Sequence, residues 1–272
     1  MNILLIRLMG LGDVASILVP AVTLYKQRYP DAAITALTYQ AGGEIMELHP
    51  EVDDVICLDN AQWPDDLFPA ATQFMQLGES IAAKQFELIV NLDTWFMPCF
   101  LARALRDAGI ETQGNYLNQP IEAFMKMAMG GDISQGFFDK PGHYMASTFL
   151  NMKQWTIPWW DQHPDKGYPD FYLRQCCGFS EPLNMQLPCS SDATLLDEAA
   201  GRPIVALSMQ GRAEYKNYQH NAQLAEQLEA SDVYCWSQFD GSLPMQTTLN
   251  RLNTSQLLVT VPTSTQWLAR LA

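Results

Sequence analysis

Short continuous apolar runs alternate along the chain with stretches in which apolar residues recur every three or four positions. Positions 2–8 (NILLIRL) form an apolar run broken only by Arg7, the pattern of a strand covered on both faces. The turn Met9-Gly10-Leu11-Gly12 comes next. Val14, Ile17, Leu18, Ala21, Leu24 and Tyr25 then recur at helical spacing as far as Tyr29-Pro30. Pro20 lies inside that pattern and predicts a kink or a fresh start there. The theme repeats: strands at 33–39, 54–58 and 87–92 (ELIVNL), and helices at 42–49, 70–84 and 96–108. Strands alternating with helices predict a parallel sheet with crossover helices, an α/β layer fold.

The periodicity loosens between about 110 and 200, where 120–130 and 143–153 read as helices. Residues 155–173 then hold Trp155, Trp159, Trp160, Tyr168, Phe171 and Tyr172 among Pro158, Pro164 and Pro169. Such residues suit a sugar-stacking loop, or packing beneath an irregular connection. A second α/β block opens at Pro203, with strands at 204–208, 233–236 and 257–261 and helices at 221–230 and 265–272. The expected organisation is two Rossmann-like domains, 1–180 and 181–272, the second reading as incomplete because it stops on a helix.

Charge narrows the function classes. The 16 Lys and Arg face 30 Asp and Glu, a net charge of −14. Up to residue 180 there are 11 basic and 21 acidic residues, and 5 and 9 after it, so neither part is a basic module for nucleic acid. No apolar run reaches the ~20 residues that span a bilayer. Arg7 and Asp13 interrupt the apolar N-terminus too early for a signal-peptide core. The six Cys (57, 99, 176, 177, 189 and 235) are scattered without CxxC or Cys/His spacing, which predicts reduced thiols in a cytoplasmic protein and no metal site. His49, His143, His163 and His220 form no sequence triad. No GxSxG, HExxH or P-loop occurs.

Four places offer chemistry. Gly10 and Gly12 come after the first strand, where α/β folds bind ligands, but Ala15 replaces the third glycine of a dinucleotide fingerprint. Asp13, at the helix entry, suits an N-cap or a general base. Asp93, after the ELIVNL run, either faces the cleft or caps the next segment of chain. After the first strand of the second block, Gly211, Arg212 and Lys216 suit a phosphate-binding turn or a solvated loop. Thr263 and Ser264, between the last strand and helix, suit phosphate oxygens or a helix cap.

These places carry a resemblance to one family. The opening ILLIRLMGLGDVASILVPAVTLYKQRYPDAAITALT and the segment ELHPEVDDVICLD resemble glycosyltransferase family 9, the bacterial heptosyltransferases of lipopolysaccharide core synthesis. The shared features are an I-[RK]-x(4)-G-D strand–turn–helix at Ile6–Asp13, a tyrosine-proline strand entry and a His-Pro-valine segment. The similarity is specific over about residues 1–110, looser in the middle, and resumes at PIVALSMQGRAEYKNY and LLVTVPTSTQWLARLA.

The resemblance implies two facing Rossmann-like domains of the GT-B type with a cleft between them. It implies metal-independent, inverting transfer of a sugar from a nucleotide-diphosphate donor, ADP-heptose above all, to a glycan hydroxyl such as that of a lipopolysaccharide core. On that template Asp13 is the general base, and Arg7, Gly10, Gly12 and Asp93 lie on the acceptor side. Lys216 and Thr263, with Gly211, Arg212 and Ser264, take the donor. The implied location is cytoplasmic, with peripheral contact at the inner membrane left open. Two motifs depart from the family: Pro262-Thr263-Ser264-Thr265-Gln266-Trp267 stands for D-T-G-x-x-H, and Tyr215-Lys216-Asn217-Tyr218-Gln219 for S-K-[RH]-W-P. A heptosyltransferase-like protein that binds without turnover is therefore the alternative.

Overall fold

The structure is a computed structural model and describes residues 1–59, 67–156, 167–211 and 213–272. Its first unit is a six-stranded sheet: β1 (Asn2–Ile6), β2 (Ala33–Tyr39), β3 (Asp54–Leu58), β4 (Leu88–Asn91), β5 (Thr112–Leu117) and β6 (Met145–Ser147). The strand order is β3-β2-β1-β4-β5-β6, parallel except for β6, which pairs antiparallel with β5. The alternation of β1 explains its central place. Ile3 and Leu5 enter one apolar layer and Leu4 and Ile6 the other, all without exposed surface.

Helices cover both faces. α1 (Leu11–Asp13), a π-helical turn (Val14–Leu18) and α2 (Val19–Arg28) form one continuous helical stretch after β1. The π turn lies immediately ahead of Pro20; proline lacks the N–H that an α-helical repeat would need, and a widened turn accommodates its absence without a break. α3 (Gln40–Met46) packs with this helix, whereas α4 (Leu67–Ala83), α5 (Phe96–Asp107) and α6 (Ile121–Gly130) build the opposite face around Phe74, Phe96, Phe100 and Phe124.

The second unit is a parallel sheet in the order β8-β7-β9, from β7 (Ile204–Ser208), β8 (Tyr234–Trp236) and β9 (Leu257–Thr260). α9 (Asn221–Ala230) covers one face, packing on Val205, Leu207 and Met209. α8 (Ala193–Ala199), α10 (Met245–Thr254) and α11 (Thr265–Leu271) lie in the core of the other face, which runs on without interruption into the α2 layer of the first sheet. The segment between the sheets is pinned at both ends: Tyr25 meets Phe179 edge-on at 5.6 Å, Arg28 donates to Glu181 at 2.9 Å, and the Leu187 N–H donates to the Leu271 carbonyl at 2.8 Å.

The helix expected over 143–153 is absent. A single turn, α7 (Pro141–Tyr144), leads into edge strand β6, because residues 145–147 are taken up by pairing with Leu117, Tyr116 and Asn115. Strand β5 and helices α8 and α10 are additional to the sequence expectation. Trp159, Trp160, Pro158, Pro164 and His163 lie outside the described residues.

Candidate active site

The carboxyl ends of β1, β7 and β9 converge on one cleft between the two sheets. The cavity there is about 450 Å³. Its wall from the first sheet is Met9, Gly10, Leu11, Gly12, Asp13 and Ser16, with Tyr168; its wall from the second is Lys216, Pro262, Thr263, Ser264, Gln266 and Trp267. Gly10, Gly12, Asp13, Lys216, Thr263 and Ser264, which lie up to 254 positions apart, thus share one space. Gly211 borders it: a Cβ there would stand 2.9 Å from the Lys216 Cβ and 3.5 Å from Thr263, so its lack of a side chain lets the lysine loop fold back toward β9. Arg212 lies outside the described residues.

Gly12 serves the junction of the two units. A Cβ on it would meet Trp267 Cδ1 at 3.2 Å and Ser264 Cα at 3.3 Å, so the glycine admits the start of α11 against α1. The Asp13 side chain makes no capping bond; Gly10 is the N-cap residue of α1, and the Asp13 carboxylate instead accepts from Arg7 Nη2 at 2.6 Å. Its side chain keeps 28% exposure, toward the cavity. Among the hydroxyls, Thr263 Oγ1 lies 3.4 Å from the Thr265 N–H and Ser264 makes no capping bond through its side chain. Ser208 and Thr265 pair at 2.8 Å behind them.

Arg7 and Asp93 do not line the cavity. Both side chains have no exposed surface. Arg7 donates to the Leu92 carbonyl through Nη1, and the same nitrogen lies 3.6 Å from Asp93 Oδ1. The Tyr172 ring lies 5.1 Å from the guanidinium carbon, and the Tyr168 hydroxyl accepts from Arg7. Asp93 Oδ2 accepts the Leu8 N–H, while Asn91 and Asn115 hold the Asp93 backbone through bonds of 3.0 and 2.9 Å. Burial opposes the charge on Arg7, yet Asp93, the two tyrosines and Asp13 outweigh it and hold the guanidinium well above its ordinary range. Burial pushes the Asp93 carboxyl up to about 6, against the opposing pull of Arg7.

A second hollow of about 330 Å³ opens at the ends of β7 and β8, lined by Leu207, Ser208, Met209, Gln210, Asn221, Ser237, Gln238, Phe239 and Asp240. Sequence reasoning missed it because its polar residues sit in loops without a motif. It also missed Tyr168 and Trp267 as cleft residues, although Tyr168 stood out as one of the aromatics clustered among prolines. Among the described residues no cluster of His, Cys, Asp or Glu is arranged to hold a metal, and no helix is long and apolar enough to cross a membrane.

Two Rossmann-like sheets facing across a cleft define a GT-B fold, the fold of glycosyltransferase family 9 heptosyltransferases. The chain has that fold. It aligns over 98% of its length with 78% of a glycosyltransferase family 9 structure from Veillonella parvula, at TM-score 0.60 and 14% identity. It aligns over 99% of its length with 85% of Escherichia coli heptosyltransferase WaaC, a structure that holds ADP-2-deoxy-2-fluoro heptose, at TM-score 0.54 and 15% identity. The E. coli ADP-heptose lipopolysaccharide heptosyltransferase II structure gives 0.55 and 14%, with 81% of that chain covered. In sequence, 86 residues are 29% identical to E. coli lipopolysaccharide heptosyltransferase 3; the match takes in 32% of this chain and 24% of that relative. No family model matches the chain.

Proposed function

We propose that the chain is an inverting glycosyltransferase that moves heptose or a related sugar from a nucleotide-diphosphate donor to a glycan hydroxyl. The observation that carries the reading is the cavity in which a partly exposed carboxylate, Asp13, faces a cation, Lys216, and the hydroxyls of Thr263 and Ser264. Residues 1–180 form the acceptor-side unit and 181–272 the donor-side unit. Asp13 takes the proton of the acceptor hydroxyl as that oxygen bonds to the anomeric carbon. The bond from that carbon to the diphosphate oxygen breaks, and its electron pair leaves on the diphosphate. The leaving group already carries charge well, so its stabilisation falls to Lys216 and nearby donors rather than to a protein acid. The hollow at Gln238, Phe239 and Asp240 takes the nucleoside. The acceptor is a sugar of the lipopolysaccharide core type, met at the cytoplasmic face of the inner membrane.

Turnover of ADP-heptose with a core-oligosaccharide acceptor tests the base. General-base catalysis contributes roughly 10²–10⁴-fold. Asp13→Asn is therefore expected to lower kcat at least ~100-fold with the donor Kd little changed. Retained turnover would remove Asp13 from that role.

A further inference from the structure

The aromatics clustered among prolines supply one member to the cleft. Tyr168 is half-buried and borders the cavity on the same side as Gly10 and Asp13. Its hydroxyl is already committed: Arg7 and the Trp155 side chain both donate to it, and Arg7 has no exposed surface. The oxygen therefore turns toward the core, and what the residue offers the cleft is ring carbon. The ring of Tyr172 lies 5.9 Å away, tilted by 45°, and its own hydroxyl donates to the Leu92 carbonyl at 2.6 Å. A ring fixed by these neighbours loses little freedom when a ligand lies on it.

Apolar ring surface beside polar groups suits a pyranose, which carries C–H bonds on one face and hydroxyls around its edge. Charge narrows the class. Among the described residues Asp13 is the one charged side chain on that wall, and Lys216 stands on the opposite one. Arg7, 2.6 Å from Asp13 and 3.6 Å from Asp93, is enclosed and has no face to present to a ligand's anion. A sugar acid or sugar phosphate lying there would meet a carboxylate without a compensating cation. We propose that Tyr168 is the platform of the acceptor subsite and that the unit stacked on it is an uncharged pyranose, its C–H face on the ring and its attacking hydroxyl directed to Asp13. The inference rests on the glycosyl-transfer reading of this cleft and names the acceptor class for it. A nucleobase also stacks on aromatics, but Lys216, Thr263 and Ser264, which suit the diphosphate, belong to the opposite wall.

Saturation-transfer NMR reads the subsite, with methyl heptoside as the neutral probe and methyl heptoside phosphate as the charged one, each at millimolar concentration. In the unmutated protein saturation is expected to reach the C–H protons of one face of the neutral probe most strongly. The two probes are compared in Lys216→Ala, an exposed position, so that the phosphate finds no donor-side cation; there the charged probe is expected to bind at least about fivefold more weakly. Tyr168→Phe, which keeps the ring, is expected to retain the signal of the neutral probe, and Tyr168→Leu to lose it. With ADP-heptose and a core-oligosaccharide acceptor, Tyr168→Leu is expected to raise the acceptor KM about tenfold and leave the donor KM unchanged, with most of the loss recovered in Tyr168→Phe. No transfer to the neutral probe, transfer without a preferred face, or a phosphate bound as well as the neutral sugar overturns the proposal, and none of these readouts needs a Tyr168 variant to fold. A donor KM that rises in place of the acceptor KM would put the nucleotide on the ring and overturn it too. If ADP-heptose neither binds nor reacts, the glycosyl-transfer reading falls, while the heptoside spectra still decide whether Tyr168 is a sugar platform.

Discussion

Arg7 is a fully buried cation between two carboxylates, and the difference between those carboxylates is one of solvent. Asp13 meets the cleft and Asp93 does not. The consequence for stability has a definite sign. Burial raises the folded-state midpoint of Asp93 from 3.8 to about 6, so between these values the native state binds a proton that the unfolded chain has released. Stability contributed by the protonated group is present below about pH 4 and lost as pH rises to about 6. Urea unfolding at pH 4, 5 and 6 is expected to show a fall, on the order of 2–3 kcal/mol, that is missing in Asp93→Asn. Identical slopes in the two proteins would contradict that environment. The Gly12-Asp13 pair was legible from its place after the first strand. The buried state of Arg7 and Asp93 was not, because a charged residue at a strand end gives no sign of which side of the cleft wall it takes.

At the scale of elements, legibility tracked apolar continuity. β1 and β4 carry runs buried on both faces and stand out from sequence alone. β5 reads TQGNYL and does not, since its buried Asn115 is placed by tertiary hydrogen bonds donated from its Nδ2 and its glycine interrupts the pattern. That glycine is required. Gly114 has φ +86°, and a Cβ would lie 2.1 Å from the Asn91 carbonyl oxygen in the neighbouring strand. The left-handed region costs ~1–2 kcal/mol for a residue with a side chain, and overpacking against backbone adds roughly 1–3 kcal/mol. Gly114→Ala is therefore expected to destabilise by about 2–5 kcal/mol in chemical denaturation; a loss under about 1 kcal/mol would show that β5 does not pair as described. The 143–153 stretch failed as a helix for a related reason: its partner strand β5 was itself invisible, so nothing in the periodicity announced an edge strand.

At the scale of the molecule, the two sheets share one apolar layer and meet where Gly12 receives Trp267. The second sheet has the βαβ pattern legible in its short apolar strands, whereas the joining of the two cores depends on contacts far apart in sequence, such as Leu187 with Leu271. That junction puts Trp267 where the family pattern has histidine, and Ser264 where it has glycine. The cleft therefore keeps Asp13 and the lysine but surrounds the proposed diphosphate position with larger side chains. Donor binding is what both readings of this cleft as a nucleotide-sugar site require, and turnover of the bound donor separates a transferase from a binding-only protein.

The most direct measurement is calorimetric titration of the protein with ADP, UDP, GDP and ADP-heptose, repeated on Lys216→Ala. The account predicts saturable binding of a nucleotide, ADP-heptose foremost, weakened about tenfold by the substitution, which corresponds to about 1.4 kcal/mol. Absence of binding by all four at millimolar concentration, or equal affinity in Lys216→Ala, would contradict a donor site in this cleft.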